Sequence, residues 1–122
     1  MVTTKRIVIG IASETVIRQR VLAIARGEYK PKKGEPKIWF TSLNAVSQVL
    51  STANMDLLKL IATKHPETIT ELSALTSRAG SNLSRTLYTM EKHGLVELVK
   101  VGKKVKPIAK ATEFDIRMRA SA

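Results

Sequence analysis

Residues 68–95, TITELSALTSRAGSNLSRTLYTMEKHGL, constrain the fold more than any other stretch of this chain. Ile69, Leu72 and Leu75 recur at three-residue spacing, which predicts one apolar stripe on a short helix. Thr68 followed three residues later by Glu71 fits a capping box, in which two side chains satisfy two orphan backbone donors at a helix start. The run Thr76-Ser77-Arg78-Ala79-Gly80 interrupts the pattern, and Gly80 is the residue there best suited to a positive φ. Leu83, Leu87 and Met90 then fall at i, i+4 and i+7 and predict the buried face of a second helix. Asn82, Arg85, Tyr88, Thr89 and Lys92 lie on its opposite face. Gly94 ends that helix, with His93 in the last turn and Leu95 folding back onto it.

Two short helices across a tight turn form the helix-turn-helix pattern, whose second helix hides an apolar face and presents a polar one. The plainer reading is an αα-hairpin of any helical domain. Composition bears on the choice. The 122 residues carry 21 Lys and Arg against 10 Asp and Glu, a net charge of +11. Such a balance attracts polyanions, nucleic acid first and an anionic membrane surface second. The chain has no cysteine, so disulfides and thiolate metal sites are excluded, in keeping with a reducing compartment. The apolar run Ile7 to Ala12 is too short to span a bilayer and is followed by an amphipathic helix, not a cleavage site. The expectation is a soluble cytoplasmic protein without membrane partners.

From the start of the chain, Lys5 to Ala12 is β-branched and apolar and predicts a strand. Ser13 caps a helix running to about Gly27, with Ile17, Val21 and Ile24 as its apolar stripe and Leu22 widening it. Lys30 to Lys37 is a charged Pro/Gly loop, suited to touching phosphate or simply to facing water. Pro36 to Phe40 predicts a second strand, parallel or antiparallel to the first. Trp39 and Phe40 suit either a subunit contact or the core. Ser42 caps a helix bearing Leu43, Val46, Val49 and Leu50. Ser51 or Thr52 starts another through Leu57, Leu58 and Ile61, stopped by Pro66. Beyond Gly94, Leu95 to Lys100 and Val105 to Ala109 flank the turn Val101-Gly102-Lys103-Lys104 as a hairpin, and Pro107 marks the returning strand as an edge. Glu113 to Met118 is a further short strand or a tail.

Three helices followed by a basic hairpin make a winged helix-turn-helix. Glu91 to Lys110 holds six lysines against two glutamates. The fold class expected is therefore α+β, with residues 1–41 a strand-helix-strand for dimerisation and 42–122 the winged helix-turn-helix domain. On this reading Arg85 and Asn82 meet base edges in the major groove, assisted by Ser81, Ser84, Tyr88 and Thr89, with Lys92 beside them. Lys100, Lys103, Lys104 and Lys106 supply the wing, where Lys103 and Lys104 meet phosphates or enter the minor groove.

The run from Asn82 to Glu97, NLSRTLYTMEKHGLVE, resembles the recognition helix and first wing strand of MarR-like winged-helix repressors. Ser84-Arg85 and Met90-Glu91-Lys92-His93-Gly94-Leu95-Val96 match that layout, with Met where the family has Leu. The resemblance covers about residues 52 to 110. Ile38-Trp39-Phe40-Thr41-Ser42-Leu43-Asn44-Ala45 looks like the strand-then-helix segment of a smaller group of prokaryotic predicted regulators, some similar to antitoxins. The N-terminal strand and helix depart from the long dimerisation helices of MarR proteins. The resemblance implies a prokaryotic, nucleoid-associated homodimeric repressor binding double-stranded DNA. Its alternative is an antitoxin that neutralises a small protein toxin and represses their operon.

Nothing in the sequence points to catalysis. His65 and His93 lie at helix ends without enough neighbours for a metal site. Gly10 and Gly27 are isolated and make no phosphate-binding loop. Ser81 and Ser84 lack a base partner. Glu67 and Glu71 read as surface helix charge. No cofactor is expected. A basic RNA-binding module is the further rival, but Tyr29, Trp39, Tyr88 and both Phe are scattered and form no stacking platform.

Overall fold

The computed structural model describes residues 5–119 as an α+β fold. Among them are five helices and five strands: β1 (Arg6–Ile11), α1 (Glu14–Ala25), β2 (Ile38–Phe40), α2 (Leu43–Val49), α3 (Thr52–Lys64), α4 (Ile69–Thr76), α5 (Gly80–Lys92), β3 (Val96–Val101), β4 (Lys104–Ala109) and β5 (Glu113–Arg117). No described helix is long and apolar enough to cross a membrane. The chain divides into two compact units, one of residues 6–48 with 114–119, the other of residue 5 with 49–113. The sequence boundary after residue 41 falls one helix earlier than this division. It also assigns the last strand elsewhere, because β5 hydrogen-bonds along β1.

The first unit is built on the sheet β2-β1-β5. β1 and β2 run parallel, pairing Ile9 with Ile38, Gly10 with Trp39 and Ile11 with Phe40. The parallel arrangement is possible because α1 and the loop after it provide the crossover that parallel neighbours require. Arg6 and Asp115 approach to 3.6 Å across the strands that carry them. Ile9 and Phe40 are buried, and Trp39 is half-buried with its ring over Gly10. Ser13 caps α1 by accepting from the Val16 amide at 3.2 Å. The loop 30–37 is pinned by Glu35. Its carboxylate accepts from the Tyr29 hydroxyl, from the Lys32 amide at 2.6 Å and from Arg20 at 3.5 Å. Those bonds, Tyr29's foremost, hold the Glu35 carboxyl below its ordinary pKa and push the Tyr29 phenol up. The Arg20 guanidinium lies over both Tyr29 and Trp39, 5.3 and 5.2 Å from the ring centres.

Helix α1 contains no buried residue, and Val21 of its expected stripe is 57% exposed, with Leu22 at 44% and Ile24 at 38%. Val16, Val21, Leu22 and Ile24 therefore leave apolar side chains of this helix open to solvent.

In the second unit the helix starts and stops follow local chemistry. Ser51 caps α3 by accepting from the Asn54 amide at 3.2 Å. His65 turns out of α3 in the left-handed region, φ 48°, and Pro66 prevents continuation. Leu57, Leu58, Ile61 and Ala62 form the buried face of α3. Thr68 caps α4 through the Glu71 amide at 3.0 Å, while the Glu71 carboxylate accepts from the Glu67 amide at 3.3 Å, one residue earlier than in the standard capping box. Of the expected α4 stripe only Leu72 is buried; Leu75 is 46% exposed, since eight residues give the helix little more than two turns of contact. Leu83, Leu87 and Met90 of α5 are fully buried. Burying each of them is worth about 1.5–3 kcal/mol. Gly94, φ 77°, then closes the helix: its amide donates to the Glu91 carbonyl and that of Leu95 to the Met90 carbonyl, both at 2.9 Å. β3 and β4 pair antiparallel from Val96–Ala109 to Val101–Lys104 and form a sheet of two strands, so Pro107 sits in an edge strand.

Candidate nucleic-acid interface

The link between α4 and α5 is three residues, Ser77 to Ala79. The left-handed conformation falls on Ser77, φ 60°, not on Gly80, which opens α5. The turn is held by side-chain bonds instead of by a glycine. The Ser73 hydroxyl donates to the Arg78 carbonyl at 2.5 Å, and the Arg78 amide donates to Thr76 Oγ1 at 3.2 Å. The Arg78 side chain then folds along α5, donating from Nε to Asn82 Oδ1 at 2.9 Å and from Nη2 to Thr86 Oγ1 at 3.1 Å.

With one face of α5 fixed by Leu83, Leu87 and Met90, helical geometry turns the other outward. Ser81, Asn82, Ser84, Arg85, Tyr88, Thr89 and Lys92 are all exposed. Asn82, Arg85, Thr89 and Lys92 follow one another at helical spacing as a continuous polar stripe. Tyr88 is the large aromatic on this face, 58% exposed, with Lys92 Nζ 5.8 Å from its ring centre. The Thr89 hydroxyl donates to the Arg85 carbonyl at 3.1 Å and keeps its oxygen as an acceptor. His93, at the C-cap, is held below its ordinary pKa by burial and by Lys92. Its charged form is disfavoured there.

The hairpin distributes its lysines unevenly. Strand alternation puts Lys100 on one face and Lys104 and Lys106 on the other. Lys103 and Lys104 are exposed at the turn, whereas Lys106 is half-buried and lies 3.4 Å from the Glu67 carboxylate. Lys106 is thus part of an ion pair within the unit, and only Lys103 and Lys104 are presented together at the turn.

What the fold brings together is a cleft of about 500 Å³ between the helix pair and the hairpin turn. Thr68, Thr70 and Ser73 line it from the α4 side, Gly80 and Ser84 from α5, and Lys103 and Lys104 from the hairpin. No Cβ at Gly80 would meet any atom within 4 Å, so the start of α5 is open. That helix has no side-chain cap, and its first amides have no helical acceptor. The start of α5 carries partial positive charge and the two lysines add whole charges, while Ile69 and Val105 add apolar lining and the Ser73 hydroxyl is already committed to the Arg78 carbonyl. Its two lysines give the cleft a positive charge that attracts anions. Among the described residues no group of three or more acidic or histidine side chains could hold a metal ion. Reading the sequence alone singled out Ser84, Lys103 and Lys104 of this lining but not Thr68, Thr70, Ser73 or Gly80, and it missed Arg78. The charge of Arg78 was visible, yet a turn position gives no local sign of where its side chain goes.

A family model, HVO_A0114, matches residues 49–116, from the end of α2 into β5. The match takes in the helices and hairpin that line the cleft. Comparison with curated proteins gave no match, and neither did comparison with solved structures.

Proposed function

We propose that this chain, which belongs to the HVO_A0114 family, is a sequence-specific, double-stranded-DNA-binding transcriptional regulator, a repressor acting as a homodimer. Helices α3, α4 and α5 with the hairpin β3–β4 are read as a winged helix-turn-helix of the MarR-like kind. Helix α5 enters the major groove and the hairpin is the wing. The observation that carries the reading is the cleft in which Lys103 and Lys104 face Ser84 and the start of α5. One sugar-phosphate strand threads it while the exposed stripe from Asn82 to Lys92 meets base edges. The net charge of +11 supplies the attraction at longer range.

The dimer part of the proposal rests on the first unit. Val16, Val21, Leu22 and Ile24 leave α1 with an open apolar surface, and a second copy of the chain covers it, pairing two modules on half-sites about 10 bp apart or a multiple of that. In the antitoxin alternative a small protein toxin covers this surface instead.

Titrating the full chain with duplex DNA and with single-stranded RNA at equal salt tests the proposal. Tighter binding to duplex, with a subset of sequences enriched from a random pool, is the expected result. Equal or tighter binding to the single strand overturns it.

A further inference from the structure

Resting on that reading of α5 as the groove-facing helix, we infer that Arg78 is a positioning residue for specificity: it fixes the Asn82 carboxamide so that only its N–H groups are offered to the base edge. The two atoms of an amide are told apart here by their partner. A guanidinium can only donate, so the atom 2.9 Å from Arg78 Nε is the Asn82 oxygen, and the –NH₂ group points elsewhere. The guanidinium cannot easily swing away. Its second arm is tied to Thr86 Oγ1, and its backbone is tied on both sides by Ser73 and Thr76. Four bonds thus converge on one residue of a three-residue turn, and Asn82 is the exposed member at the end of the chain of contacts.

The consequence is a choice of base. A free Asn pairs with adenine by donating to N7 while accepting from the N6 amine. The Asn82 oxygen already receives a charged N–H, so its accepting half is weakened and flanked by the guanidinium, while both amide hydrogens remain available. Asn82 therefore reads edges that accept, guanine N7 and O6 or thymine O4, in preference to the mixed edge of adenine, and disfavours the amine of cytosine. Arg78 does so without touching the base itself.

Sequences enriched from a random duplex pool, followed by single-base substitutions in the best site, test this for the wild type and for Asn82→Ala, Arg78→Ala and Thr86→Val. The Asn82 variant identifies the base pair concerned. Arg78→Ala is expected to change preference at that same pair by about two- to tenfold, toward adenine, the scale of one hydrogen bond. The slope of log affinity against log salt should stay unchanged. Thr86→Val, which leaves the turn bonds in place, should give a smaller shift at the same pair. A flattened salt slope with unaltered preference would make Arg78 a phosphate contact and overturn the inference, as would a shift at a different base pair or none in either variant. If the wild type enriches no sequence at all, the DNA reading fails first, and that result is distinct from each of these.

Discussion

The ring of Trp39 occupies the space where residue 10 would carry a side chain: a Cβ on Gly10 would stand 2.5 Å from Trp39 Cζ3. The two residues are register partners on parallel strands, so neither can move away without breaking the pairing of β1 with β2. Gly10→Ala should therefore displace the indole and destabilise the first unit by about 1–3 kcal/mol, the usual cost of overpacking. Trp39 is the only tryptophan, so its fluorescence reports the change directly. An unshifted emission spectrum with an unchanged unfolding midpoint would contradict this packing.

Arg85 is exposed on the polar face of α5, one turn in from its start. In the proposed complex its guanidinium forms two hydrogen bonds to a guanine edge. Arg85→Ala should lower affinity for the selected site by about 1–3 kcal/mol and relax preference at one base pair per half-site. Unaltered affinity and preference would remove Arg85 from the recognition surface.

Lys103 and Lys104 line the cleft from the hairpin turn. Each phosphate contact contributes about −0.9 to the slope of log affinity against log salt. Replacing both by Ala in a dimer removes up to four contacts and should flatten the slope by about 3 to 4, with base preference nearly constant. Lys106→Ala, by contrast, should leave the slope almost unchanged, because Lys106 is engaged with Glu67. A slope indifferent to the double substitution would return the pair to ordinary solvated surface.

Val21 and Leu22 are the test of assembly. Both are exposed on α1, at 57% and 44%, so exchanging them for Glu should cost the monomer far less than a core substitution. Sedimentation of Val21→Glu/Leu22→Glu should give a monomer with weak operator affinity while the wild type sediments as a dimer. A double variant that remains dimeric would place the interface on another surface. A wild type that is monomeric alone and dimerises with nothing would favour the antitoxin alternative once a small partner is found to bind the same face.

His93 gives a pH dependence of defined sign. Burial and Lys92 hold its pKa in the folded chain below the ordinary 6.5. Between the folded value and 6.5 the unfolded chain binds more protons, so stability rises with pH across that window. The contribution is complete above about pH 6.5 and is lost as the pH falls toward the folded value. Chemical denaturation of wild type and His93→Gln at pH 7.5 and pH 5.5 should show the difference shrinking in the variant. An identical pH dependence in both would assign the effect to other groups.

Much of the second unit is written in the sequence because its devices are local. The caps Ser51 and Thr68 act on amides three residues away, Gly94 acts within one turn, and the buried set Leu83, Leu87, Met90 repeats with the period of the helix. The polar stripe of α5 follows as its complement. Tertiary structure decided the rest. An apolar stripe such as Ile17, Val21 and Ile24 states that a helix has something to bury, not whether the chain supplies a cover, and here it does not. The parallel pairing of β1 with β2 and the return of β5 to β1 depend on segments far apart in sequence. So does the meeting of Lys103 with Ser84 across the cleft. Even over short range, Ser77 took the left-handed turn that Gly80 would have adopted more cheaply, because bonds from Ser73 and Thr76 hold the Arg78 backbone beside it. The sequence thus determined which faces are apolar and which are charged. Only the packing of distant segments decided which of those faces meet and which remain open.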